Sequence, residues 1–344
     1  MNGLPDASLH PPGQTLLFGV DFTSAPRRAK PITVAVARAP MASDQPLVLT
    51  DLLRFESLEA WSRWLQTPGP WVGGFDFPFG LPRVFAQHLG WVAAPAPASM
   101  PAAEPATRAL TFDSLSVWDR VTAQLAALSR AELIAACRAW CDARPAGQKF
   151  AHRATDLTAG SSSSMKWVNP PVALMLHAGA PRLMQAGVSL PMRVGDPQRL
   201  ALETYPGLLA RRVLGRESYK SDEPARRHCP DRKAARARLI EALGQGLAET
   251  TPIDLGPWAQ ICLDDSGADL LDAVLCLVQA HQAWAARDRG WAMPAPIDPV
   301  EGWIIGAPMP SLSCDRFGLS NRCSRAPSGP SPGPAPAGWW PRAS

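Results

Sequence analysis

"GGFDFPFGLP", residues 73–82, carries an apolar run into a carboxylate and then into a turn. With Trp71 and Val72 before it, the stretch reads as a buried strand over 71–77. Gly73 and Gly74 leave room for a close neighbour, and Pro78 and Gly80 set the exit from the strand. Asp76 at that exit either turns the chain or holds something, because a carboxylate there is costly unless hydrogen-bonded, paired or bound to metal. The same pattern occurs upstream. TLLFGVDF (15–22) is a continuous apolar run that reaches Asp21, as in a strand buried on both faces.

Between these two runs, ITVAVAR (32–38) alternates large and small apolar residues and is rich in β-branched types, which predicts a second strand. A third is expected over 47–54. SLEAWSRWLQ (57–66) opens on Ser57 and spaces Leu58, Trp61 and Leu65 three to four apart, predicting a short amphipathic helix. The order β-β-β-α-β points to a mixed sheet in an α/β domain. Farther along, helical patterns dominate 114–144 and 170–186, LALETY (200–205) predicts a return to the sheet, and a long helix is expected over 266–287. EGWIIG (301–306) is a candidate last strand. The chain is thus organised as one domain over 15–307, with a Pro/Ala loop at 93–107, a helical insertion at 110–190 and a basic insertion at 207–260. The Pro/Ser/Gly-rich tail at 308–344 is expected to be disordered.

Composition excludes several classes. Hydrophobic residues make up 46% of the 344, enough for a sizeable core, and a net charge of +4 is too small for the overall field to name a partner. The seven cysteines are scattered with no CxxC pair, so neither a disulfide framework nor a zinc site is signalled. Cys137 and Cys141, one helical turn apart, are expected in the core. The N-terminus lacks the basic start and apolar centre of a signal peptide, and no apolar stretch has the roughly 18 residues of a membrane span. A soluble cytoplasmic protein is expected, with no membrane partner. No HExxH, GxSxG or Walker-type loop occurs, and His152, His177 and His281 are expected as core or surface residues. GSSSSMKW (160–167) has the composition of a flexible loop, with Lys166 at its surface.

Carboxylates recur where apolar elements end or turn: Asp21, Asp76, Glu203 in LETYPG, and Asp269 with Asp272 in ADLLDAV. In open α/β sheets, sites form beyond the carboxyl ends of strands. Acids converging there would hold a hard cation such as Mg²⁺ together with waters and phosphate oxygens. On the last helix Leu271, Val274, Leu275 and Val278 define an apolar stripe, with Asp272 on its flank and Asp269 farther toward solvent. Asp269 also stands three residues after Ser266, the spacing of a capping box, although such boxes use Glu or Gln. Taken singly, Asp21 reads equally as a turn residue and Glu203 as an edge-strand surface residue.

Together, GVDFTSAP, FDFPFGLP, ETYPG, the D-x-x-D-A of Asp269 and Asp272, and EGWIIG resemble the domain-of-unknown-function 429 family over residues 15–307. Its members are regarded as predicted nucleases of ribonuclease H-like fold, and the D-x-x-D-A helix is also similar to that of Holliday-junction resolvases. The resemblance implies a sheet of order 3-2-1-4-5 with strand 2 antiparallel, placing Asp21 beside Asp76, Glu203 on the fifth strand and Asp272 across from them. It further implies phosphodiester hydrolysis by two Mg²⁺ or Mn²⁺ ions. Asp21 would bridge the ions, Asp76 and Asp272 would each favour one, Asp269 would assist, and Glu203 has the least defined role.

Two basic groups accompany these acids. Residues 207–238 hold ten Lys/Arg against four Asp/Glu, among them Arg226, Arg227, Arg232 and Lys233. Arg27, Arg28 and Lys30 follow Asp21 in a turn. Both are candidate phosphate contacts for DNA or RNA, and both read equally as solvated surface. Two other functions share the fold: a non-catalytic nucleic-acid-binding module, and an actin-like or sugar-kinase ATPase, which needs a second glycine-rich phosphate loop that this sequence lacks.

Overall fold

The computed structural model describes residues 4–93, 115–221, 223, 228–247 and 251–309. The sheet is built from β1 (Leu16–Asp21), β2 (Ile32–Arg38), β3 (Leu47–Phe55), β4 (Trp71–Phe75), β5 (Val188–Ser189), β6 (Asp196–Glu203) and β7 (Ile253–Asp254). These seven strands lie in the order β5-β6-β4-β1-β2-β3-β7. β2 runs antiparallel to both β1 and β3, whereas β1, β4 and β6 are parallel neighbours. The chain is therefore α/β with a mixed sheet. The two-residue strands β5 and β7 extend it at both edges and have no signal in the sequence, since two residues are too few to show a period.

Side-chain alternation along the strands divides the core into two. Leu17, Val72, Leu200 and Leu202 face a layer made by the helices Pro206–Leu214, Pro230–Gln245 and Asp269–Ala285. Phe18, Val20, Phe75 and Ala201 face the opposite layer, which includes Leu58–Trp64, Val117–Ala127, Arg130–Asp142 and Val172–Ala186. The sheet is sandwiched between helices, which is why its central strands read as unbroken apolar runs.

One pair of residues sets the distance between sheet and helix. Gly19 on β1 and Gly74 on β4 are partners across the parallel ladder. A Cβ on Gly19 would stand 2.0 Å from the Ala273 carbonyl oxygen, and one on Gly74 would stand 2.6 Å from that of Cys276. The last helix therefore rests directly on this glycine pair, and a side chain at either position would lift it off. Gly73 points the other way, with its missing Cβ against the ring of Phe75.

Several sequence expectations are corrected here. The 207–260 segment packs into the core: Leu209, Tyr219, Ala235, Leu239 and Leu243 are buried on the last helix's side of the sheet. GSSSSMKW is packed, with Ser163, Ser164 and Met165 buried: the Ser163 hydroxyl donates to the Ala151 carbonyl and accepts from the Met165 amide, while the Ser164 hydroxyl is buried without a partner among the described residues. EGWIIG makes only a single bridge, Glu203 to Ile304, and no strand. Ser266 forms no capping box: Asp265 accepts from the backbone of Gly267 and Leu270, and the helix begins at Asp269 after Ala268 in the left-handed region. Cys137 and Cys141 are buried and free, as the spacing predicts. Among the described residues no helix is long and apolar enough to cross a membrane. The tail from 310, the Pro/Ala segment 94–107, Arg226 and Arg227 lie outside the described residues.

Candidate functional site: an acid cluster at the carboxyl ends of the strands

Asp21 ends β1, and Asp76 follows β4 by one residue. The amide of Asp76 donates to the Val20 carbonyl at 2.9 Å, so the ladder continues to the point where the two acids become neighbours. Each acid stands two residues beyond one of the paired glycines. By alternation both side chains project from the face on which the last helix rests. That helix, brought close by the glycines, presents Asp272 from above at 0% exposure, with Asp269 one turn earlier and partly exposed. Four carboxylates from three separate motifs are thus gathered at one end of the sheet.

Electrostatics report the same convergence. Burial pushes the Asp21 carboxyl well above the usual carboxylate range, and the charges of Asp272, Asp269 and Asp76 add to the rise. Burial likewise raises Asp76 to about 7, with Asp272 and Glu203 contributing and Lys220 opposing. Asp269 is raised by burial and by Asp265 and Asp272, against the nearby Lys30. Asp21 is only 9% exposed, yet among the described residues no hydrogen bond or ion pair reaches its carboxylate. A buried acid without a partner seeks either a proton or a cation.

Asp272 differs from its neighbours. Its Oδ1 accepts from the Tyr219 hydroxyl at 2.6 Å, and its Oδ2 is ion-paired with the Lys220 ammonium. Burial disfavours the Lys220 charge, but Asp272, Tyr219 and Asp21 outweigh it and hold the ammonium well above its ordinary pKa. Beneath the cluster, burial and then Asp76 raise the Cys276 thiol. Tyr219 and Lys220 were invisible to motif reading. They sit in the basic 207–238 segment, where one lysine among ten cationic residues carries no distinguishing local pattern.

Glu203 ends β6 beside Phe75, and alternation turns it to the opposite face, that of Ala201. There Arg153 donates to both its oxygens, at 2.8 and 2.6 Å, and the Phe79 amide donates to Oε2 at 2.9 Å. The same guanidinium pairs with Asp156 and donates to the Glu301 carbonyl. Burial works against the Arg153 charge, yet the carboxylates of Glu203 and Asp156 outweigh it and raise its pKa. Glu203 is therefore saturated by Arg153 and fixes the FDFPFG turn through Phe79, while the other four acids share a site on the helix side. Arg153 was also missed: its link to Asp156 is local, but the partners that place it at Glu203 and the Glu301 carbonyl are 50 and 148 residues away in sequence.

Of the basic candidates, Arg27 and Arg28 are exposed in a turn closed by backbone bonds between Arg27 and Lys30, directly after the Asp21 strand. Lys233 is ion-paired with Asp264, and Arg232 lies on the same helix. No three His, Cys, Asp or Glu side chains among the described residues already stand as a metal-binding group. The donors nevertheless suit a hard cation that keeps several waters, because Mg²⁺ commonly takes only one or two carboxylates from the protein. Asp21 and Asp76 offer that pair with no competing partner. Comparison with family models, with curated proteins and with solved structures returns no match to this chain.

Proposed function

We propose that the chain is a divalent-cation-dependent phosphodiester hydrolase acting on nucleic acid. The observation that carries this reading is the pair Asp21 and Asp76: neighbouring, largely buried, unpaired, and faced by Asp272 from the last helix. The neighbour order β3-β2-β1-β4-β6 with β2 antiparallel supports a ribonuclease H-like arrangement, and the motifs support kinship with the domain-of-unknown-function 429 family. Mg²⁺ or Mn²⁺ is the cofactor of this reading. When bound, such an ion lowers the pKa of a coordinated water and offsets charge on a phosphate oxygen.

The protein's own residues have separable tasks. Asp21 and Asp76 would hold the cation, and their burial would strengthen the attraction by lowering the local dielectric. Asp272 presents fixed negative charge opposite them, held in place by Tyr219. Asp269, at the open side, faces the approach of substrate, and Arg27, Arg28 and Lys30 flank that approach with positive charge suited to a phosphate backbone.

Titration of Mg²⁺ or Mn²⁺ against a panel of labelled DNA and RNA substrates tests the reading. Cleavage is expected in wild type and should fall at least about a thousandfold in Asp21→Asn, since loss of a metal ligand removes several kcal/mol of charge stabilisation. Binding without cleavage, unaffected by Asp21→Asn, would instead identify a non-catalytic binding module.

A further inference from the structure

Among the described residues, one cation hydrogen-bonds directly into the acid cluster. The ammonium of Lys220 contacts Asp272 Oδ2 and lies in the field of Asp21, Asp76 and Asp269. The loop that delivers it is anchored on both sides. Ser218 Oγ donates to the Lys220 carbonyl at 2.7 Å, and Arg236 Nη1 donates to the Tyr219 carbonyl at 3.0 Å. Arg236 is itself buried and donates Nε to the Leu263 carbonyl at 2.9 Å, just ahead of the helix that carries Asp272. Tyr219 takes the other oxygen of Asp272. Both oxygens of the third acid are thus engaged, whereas Asp21 and Asp76 keep theirs free.

A two-ion site needs Asp272 to ligate the second ion. Here that place is already taken by a side-chain cation. We propose that Lys220 supplies the second positive centre, so that the site takes one divalent ion on Asp21 and Asp76 and uses the ammonium for the phosphate charge that a second ion would otherwise meet. This inference rests on the hydrolase reading and replaces its expected two-ion stoichiometry. The ammonium is buried against Asp272, while the Lys220 side chain as a whole keeps 43% of its surface exposed, so the residue borders solvent at the rim of the cluster. A compact ammonium suits this role, since its three donors can serve a carboxylate and a phosphate at once.

Counting Mn²⁺ bound per full-length chain, by calorimetry and by the electron paramagnetic resonance signal of free Mn²⁺, tests the proposal without any turnover. Wild type should bind one ion, Lys220→Arg one, and Lys220→Met two, because removal of the charge frees Asp272. Two ions on wild type would overturn the lysine's role and leave the hydrolase reading intact. One ion on a folded Lys220→Met would likewise overturn it. No ion on wild type or on Lys220→Met would overturn both readings together. The wild-type count decides the question even if Lys220→Met fails to fold.

Discussion

Two clusters of buried charge flank the ends of β4 and β6, and they are built on opposite principles. Around Arg153, the guanidinium is shared by Glu203, Asp156 and the Glu301 carbonyl, and Glu203 also takes the Phe79 amide. Nearly every donor has an acceptor. Around Asp21, four acids face one directly bonded lysine, and among the described residues only the carboxylate of Asp272 has a hydrogen-bonded partner. The first cluster is closed to ligands because its hydrogen bonding is complete. The second gathers acids at the carboxyl ends of the central strands, where α/β folds commonly place their sites. Burial alone does not single out a candidate site acid; burial without compensation does.

Breaking the closed cluster should cost the most stability. Arg153→Met leaves Glu203 and Asp156 buried without their cation, and a loss of about 3–5 kcal/mol is expected, read by urea unfolding at neutral pH. A loss under about 1 kcal/mol would show that the cluster is more open to water than its hydrogen bonds imply.

The open cluster should respond with the opposite sign. Asp76 is shifted from 3.8 to about 7 in the folded chain. The folded state therefore holds a proton more tightly than the unfolded state, and this contribution is full below about pH 4 and lost as pH rises through 7. In metal-free buffer, wild type should weaken between those values. Asp76→Asn should make the profile shallower, with Asp21 still titrating, and gain about 2 kcal/mol at pH 8, below the ceiling of about 4 set by some 1.4 kcal/mol per unit. Unfolding curves from pH 4 to 8 in chelator check this, and a pH-independent wild type would count against an uncompensated acid. Saturating Mg²⁺ should remove the wild-type deficit but not alter Asp76→Asn.

The smallest effect is expected at the boundary between the two behaviours. Tyr219→Phe removes the hydroxyl that donates to Asp272 and leaves Lys220 in place. A destabilisation of about 1.5 kcal/mol is expected for a lost hydrogen bond to a charged acceptor. Thermal unfolding of the variant with and without Mn²⁺ measures it, and a loss above about 4 kcal/mol would place Tyr219 with the structural cluster instead.

The sequence by itself determined the apolar strands, their acidic ends and the long last helix, because these are local patterns of period and termination. GVD and GGFD show acids on strands buried on both faces, and the D-x-x-D-A spacing puts Asp272 on the flank of an apolar stripe. Tertiary structure alone decided which acids share a site. Asp76 and Glu203 look alike as strand-end acids, yet one-residue parity along β4 and β6 sends them to opposite faces, and Arg153 then claims Glu203. Only the packed chain could bring Lys220 to Asp272, 52 positions away in sequence. Charge compensation is a long-range property of the folded chain, and no local spacing encodes it. The glycines of GVD and GGFD stand between these two levels: visible as residues, but meaningful only once the last helix rests on Gly19 and Gly74.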